Sequence, residues 1–312
     1  MRAAWRIIAA VILLGSSTSA WAQAERTLEI VLRKNFIEKY KNRVTLSTNA
    51  FMVDKVHKHV NPAAKDGDIH VAGRSKDIGL PTVAEVMNAA EDTPGVDLLH
   101  QVEGSGSVSL TGVWRLWAEH GGLGRQVQGA PLAPFQTTNP PHVFEVHPIL
   151  RLNEEDLIRT LHPINGFEPK DAYDAFHSYE NLRSQIVDRG QTVSIFTGMG
   201  GYNYVEFCLM PLEKLNAVSD GSMLLANVAD LKGELIVHRR RMVFPKASPA
   251  EVVAGQSAAG LHVLGIPRVD LALVSWRLSN AKAKPEILRW NLPYEIVVVA
   301  LYPDDSCAGN QQ

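Results

Sequence analysis

The sequence predicts a mainly β protein: an OB-like five-stranded barrel followed by an antiparallel β-sandwich, with a few short helices. Three observations predict it. From Val44 to Leu301 the chain is a succession of runs rich in Val, Ile, Leu and aromatic residues, cut by Gly, Pro, Asn and Asp. Such runs read as strands and such cuts as turns. Five runs fall within about 110 residues of the first half around one inserted helix, which suits a small curved barrel. The later runs follow one another directly, the pattern of sheet packed on sheet.

Hydrophobic residues make up 46 % of the chain and charged ones 21 %, ample for a packed core and contrary to disorder. At 312 residues and roughly 100–200 per domain, two domains are expected. We place the barrel at 23–155, a linker at 156–170 and the sandwich at 171–312. Residues 1–22 read as a signal peptide. Arg2 and Arg6 make a positive start, Ile7 to Gly15 is a short apolar run, and Ala20-Trp21-Ala22 is a small-x-small cleavage site. The apolar run falls short of the ~20 residues that span a bilayer. Cleavage after Ala22 gives a periplasmic or secreted chain with 29 basic and 33 acidic side chains, net −4. That balance argues against nucleic acid as a partner, as do the 14 basic and 16 acidic residues of 23–155. The one local excess is Arg33 to Lys58, seven Lys or Arg against two acids; it reads as a solvated face or a surface for a phosphate-bearing ligand.

Taken in order, Leu28, Val31, Leu32, Phe36, Ile37 and Tyr40 recur at helical spacing, so 23–43 is an amphipathic helix or extended arm. Strands are expected over 44–56, 68–74, 96–102, 108–119 and 143–152. A short helix at 81–90 rests on Pro81 and the spacing of Val83, Val86 and Met87. A Gly- and Pro-rich loop occupies 121–141, long enough to be functional. A helix over 171–187 precedes strands at 191–197, 202–210, 222–228, 234–244, 261–266, 269–278 and 294–301. Gly198-Met199-Gly200-Gly201 is a hairpin turn, and Arg239-Arg240-Arg241 a solvated strand edge. No repeat of fixed period stands out. Cys208 and Cys307 form a candidate disulfide in an oxidising compartment.

Chemistry concentrates in the first half, where seven of the eleven histidines lie between His57 and His147. Alternation along a strand puts Asp68 and His70 on one face, and Glu145 and His147 on one face of another. If those two strands pair, four groups converge that could hold a divalent metal. Glu85 and His120 are the candidates for moving protons beside it; Glu103 is a further acid nearby. The competing reading is a buried polar network in which each group hydrogen-bonds another without catalysis. No zinc spacing such as His-Glu-x-x-His and no serine nucleophile elbow occurs.

The stretches Asp66-Gly67-Asp68-Ile69-His70, Thr111-Gly112-Val113-Trp114, His120-Gly121 and Glu145-Val146-His147-Pro148 together resemble a family of exported bacterial proteins. In that family a small β-barrel carries Asp-x-His followed by Glu-(Ile/Val)-His-Pro. The resemblance covers about Val44 to Leu150 and implies the barrel and its motif, with Glu85 as the acid placed after the Asp-x-His strand. It implies no reaction. The leading expectation is an exported cell-envelope binding or accessory protein, acting on a ligand or an envelope partner. The rivals are a metal-dependent hydrolase of the phosphodiesterase or nuclease kind, and a protein–protein scaffold.

Overall fold

A computed structural model describes residues 27–256, 260–303 and 307; the expected signal peptide lies outside the described residues. The described chain opens with β1 (Leu28–Arg33) and α1 (Lys34–Tyr40), then β2 (Thr45–Val56), β3 (Ile69–Arg74), β4 (Thr82–Val86), α2 (Thr93–Val102), β5 (Ser107–Leu116), β6 (Gly124–Val127) and β7 (Phe144–Leu152). Two-residue strands β8 (Glu155–Asp156) and β9 (Lys170–Asp171) follow, then α3 (Ala172–Asn181), β10 (Ser184–Asp188), β11 (Thr192–Thr197), β12 (Val205–Pro211), β13 (Asn216–Val218), β14 (Gly221–Ala229) and β15 (Leu235–Pro245). The chain closes with α4 (Pro249–Gln256), β16 (Leu261–Val269), α5 (Leu271–Asn280) and β17 (Tyr294–Leu301).

The first barrel is the one the sequence predicts. Its order is β2-β3-β4-β7-β5, and β5 pairs back onto β2. All neighbours are antiparallel except β4 and β7, and α2 lies between the third and fourth barrel strands. Two of its elements exchange identity with the sequence reading. The segment 81–90 holds a strand, not a helix: all five residues of β4 are buried, so both faces are covered and the wet–dry alternation that marks a strand is absent. The segment 96–102 is a helix, started by Pro94 and held by Leu99 against the barrel.

The second half is antiparallel for most of its length, but it closes into a barrel where a sandwich is expected. Its order is β12-β14-β15-β17-β16, and β16 pairs back onto β12. β15 and β17 are parallel, and α4 sits between the third and fourth strands. Strand for strand, this is the path of the first barrel. The segment 269–278 is helical (α5), capped by Asp270, whose carboxylate accepts from the Leu273 amide. The glycines at 198–201 turn no hairpin, since β11 pairs with β1 and β10 while β12 belongs to the second barrel. Arg240 and Arg241 are half-buried: Arg240 pairs with Glu180 and stacks on Tyr294, and Arg241 reaches Glu295.

Residues of both halves build a third sheet, β10-β11-β1-β6. The expected N-terminal helix is therefore β1 followed by α1, whose Phe36, Ile37 and Tyr40 are buried. Between the barrels, Leu157, Leu161 and Ile164 are buried, so 156–170 packs into the core. Cys208 and Cys307 are joined, tying β12 to the segment beyond β17. Their separation of 99 residues closes a loop whose loss of unfolded-chain entropy stabilises the fold by about 4 kcal/mol.

The two barrels match in sequence once their paths are superposed. Gly112-Val113-Trp114-Arg115-Leu116 on β5 corresponds to Gly265-Ile266-Pro267-Arg268-Val269 on β16, and Phe144-Glu145-Val146 on β7 to Tyr294-Glu295-Ile296 on β17. The registers agree: Arg115 faces Glu145 and Arg268 faces Glu295. A side chain on Gly112 would strike Val146, and one on Gly265 would strike its counterpart Ile296. The contacts between barrels are reciprocal. Arg115 Nε donates to the Pro267 carbonyl at 3.0 Å, and Arg268 Nη1 donates to the Trp114 carbonyl at 3.0 Å.

Candidate functional site

The expected convergence occurs, with a different membership. The strands of Asp68/His70 and Glu145/His147 do not pair; β4 lies between β3 and β7. That insertion brings Glu85 to the centre, opposite His70 in the β3–β4 register. Asp68, Glu85 and His147 are buried, and their ligand-type atoms lie within 4.8 Å of one another, a group that could hold a metal ion.

His147 is the hub. Its Nε2 lies 3.2 Å from Asp68 Oδ2 and 2.8 Å from the Tyr204 hydroxyl, which donates to the same Asp68 oxygen at 2.7 Å. Its Nδ1 faces Glu85 Oε2 at 3.4 Å and Glu145 Oε2 at 3.8 Å. Burial alone would lower the imidazolium, yet Glu85, Asp68 and Glu145 outweigh it and hold the ring well above the ordinary histidine range. Burial pushes Asp68 up to about 6 against the pull of His147. Burial and Asp68 raise the Tyr204 phenol, which stays protonated and donates.

Glu145 belongs to a second clasp. Arg115 Nη1 donates to it at 2.5 Å and His142 Nε2 lies 3.2 Å away. Burial would raise this carboxyl, but Arg115 and the two histidines keep it well below the usual range. His142 is in turn raised, its burial overcome by Glu145, while its Nδ1 donates to the Pro140 carbonyl at 2.7 Å. His70 stands at the rim, 3.7 Å from Glu85. His120 is outermost, stacked on His142 at 5.2 Å and 3.9 Å from Glu119. Glu103 is not part of the cluster; it pairs with Lys55.

The metal set Asp68, His70, Glu145 and His147 is thus divided. Asp68 and His147 remain at the centre, Glu85 joins them, His70 is marginal, and Glu145 is held by Arg115. The donor set of two carboxylates and an imidazole suits a divalent ion, and Asp68 Oδ1 and His147 Nδ1 make no hydrogen bond to the described residues. Against that fit, Asp68 and Glu85 face opposite ring nitrogens, and an ion can bind only one of them. The arrangement is an imidazole between two acids, whose charges favour its protonated form. Tyr204, Arg115 and His142 complete the site, although none of them is among the expected site residues.

A separate cavity of about 970 Å³, lined by none of these residues, opens beside the first barrel. Its walls are α1, the middle of β2, the turn 74–79 and the segment 128–132. No protein-family model and no curated protein matches the chain. No helix among the described residues is long and apolar enough to cross a membrane.

Proposed function

We propose that the protein is an exported binding protein of the cell envelope whose ligand sits in the cavity of the first barrel. The observation that carries this reading is the separation of the two features. The groups suited to chemistry are sealed: Asp68 and His147 are 0 % exposed, and Tyr204 closes over them. The large cavity lies elsewhere, within the roughly 300–1,000 Å³ of small-molecule sites. The Cys208–Cys307 bond supports an oxidising compartment, and the N-terminal pattern supports export, as does the resemblance to exported barrel proteins. OB-type barrels offer one face to extended ligands. The test is native mass spectrometry of the full chain isolated from a bacterial envelope. Mature protein starting at Gln23 with extra mass that the cavity-filling Ala50→Trp removes supports the reading; ligand-free protein under gentle extraction sinks it.

A second reading, a metal-dependent hydrolase, is favoured by the two orphaned atoms Asp68 Oδ1 and His147 Nδ1. A divalent ion there would be held by Asp68, Glu85 and His147. Elemental analysis decides it: stoichiometric metal that His147→Val abolishes would favour this reading, and metal-free protein of full stability would remove it.

A further inference from the structure

The cavity combines an apolar floor with a rim of unspent positive charge. Phe36, Tyr40 and Ile78 are buried at its base, and Met52 and Leu132 line it. Four basic residues border it, and they are not equivalent. Arg74 is neutralised, its guanidinium gripping both Asp54 oxygens at 2.7 Å. Arg33, Lys39 and Lys76 are exposed and make no ion pair with any described residue, although Lys39 Nζ lies over the Tyr40 ring, 4.9 Å from its centroid. The only acid on the rim, Asp77, accepts the Thr48 hydroxyl at 2.7 Å. Among the described residues the rim therefore carries three cations without an acid partner, one of them resting on the Tyr40 ring, against one acid.

The walls are fastened before any ligand arrives. Gln128 accepts from the Arg33 amide and donates to the Ile78 carbonyl, both at 2.9 Å, and the Gly129 amide donates to the Gly79 carbonyl at 2.7 Å. Gly129, with φ at +85°, leaves the space in which the Arg33 guanidinium lies; a side chain there would collide with it. A positioned arginine beside an apolar floor is a receptor for an anion attached to an apolar body. A preformed site also spares the ligand the cost of ordering its walls.

We propose that this cavity binds an amphipathic organic anion, a phosphate or carboxylate on an apolar body, with Arg33, Lys39 and Lys76 receiving the charge and Phe36, Tyr40 and Ile78 the body. The proposal rests on the binding reading above and names its ligand class. The body can be an acyl chain or an aromatic ring, and the assay separates the two.

The full chain is titrated calorimetrically with dodecyl phosphate, lauric acid, phenyl phosphate and the uncharged monolaurin. The two acyl anions are expected to bind about tenfold more tightly than monolaurin, because charge-assisted contacts are the stronger ones. Added salt should narrow that gap. Arg33→Gln combined with Lys76→Gln, both exposed positions, should remove about the same factor for the anions and leave monolaurin unchanged, with an unaltered circular dichroism spectrum. Phenyl phosphate binding as tightly as dodecyl phosphate would assign an aromatic body instead of an acyl chain. Monolaurin binding as tightly as the anions overturns the anion class while leaving a binding protein. No binding by any of the four also overturns it; whether a co-purifying ligand is still found then decides the broader reading separately.

Discussion

The two barrels follow one path and share one buried clasp, Arg115 with Glu145 in the first and Arg268 with Glu295 in the second. Beside that clasp the first adds an imidazole, His147, between acids. Two residues beyond the shared glutamate stands His147 in one and Val297 in the other; after the shared Asp-Gly turn stands Asp68 in one and Ser222 in the other. What both barrels hold is frame. What one holds alone is the residue set on which a special role can rest. The comparison takes Glu145 out of a metal-ligand set and assigns it to the architecture, because its counterpart Glu295 holds its arginine with Val297 in the place of His147.

The sharpest way to break this comparison is to remove each arginine. Arg115→Met and Arg268→Met each strand a buried glutamate and should each cost about 3–5 kcal/mol in urea denaturation. Strongly unequal losses would contradict the equivalence. Next in size is the bond that only the second barrel possesses. Replacing Cys208 and Cys307 by Ser should cost up to about 4 kcal/mol, and reductant should lower the wild-type midpoint to match.

His147→Val makes the first barrel resemble the second and leaves Asp68 and Glu85 buried without their cation. A loss of about 2–3 kcal/mol in urea denaturation is expected at about pH 7, where Asp68 is ionised. Its pH dependence has a definite sign. The folded pKa of His147 is raised, so its stabilisation is complete below the unfolded value of about 6.5 and fades as pH rises through the folded value. The raised carboxyl of Asp68 lowers the stability of the wild type as pH climbs from about 4 towards 6, and in His147→Val, freed of the pull of the imidazole, it lowers stability further. Titrating the ring by NMR between about pH 5 and about pH 9 should find His147 still protonated at about pH 7; a ring already neutral there would contradict this reading. The smallest effect belongs to Tyr204→Phe, about 1–2 kcal/mol in the same urea denaturation, from the lost hydroxyl bridge between His147 and Asp68.

The strands of the first barrel were legible wherever one face is wet, as in β2 with its alternating burial. β4 was not, because a strand covered on both sides has no period to read. Closure of the second barrel was not legible either, since a sandwich and a barrel differ only in whether first and fourth strands also meet. Asp68 and His147 were visible as motif residues. Tyr204 was not: it reaches Asp68 across 136 residues of chain, and nothing local marks a tyrosine that will do so. The duplication hid behind drift, with Asp66/Asp220, Arg115/Arg268 and Glu145/Glu295 standing 154, 153 and 150 residues apart.

The crossed arginines bear on how this molecule can be dissected. Each guanidinium finishes its bonding on carbonyls that belong to the opposite half: Arg268 on Trp114, Val44 and Arg43, and Arg115 on Pro267. A fragment severed between the halves would therefore keep a charged group while discarding its acceptors. Neither piece is a sound unit for expression or crystallisation, and work on the cavity belongs in the intact polypeptide.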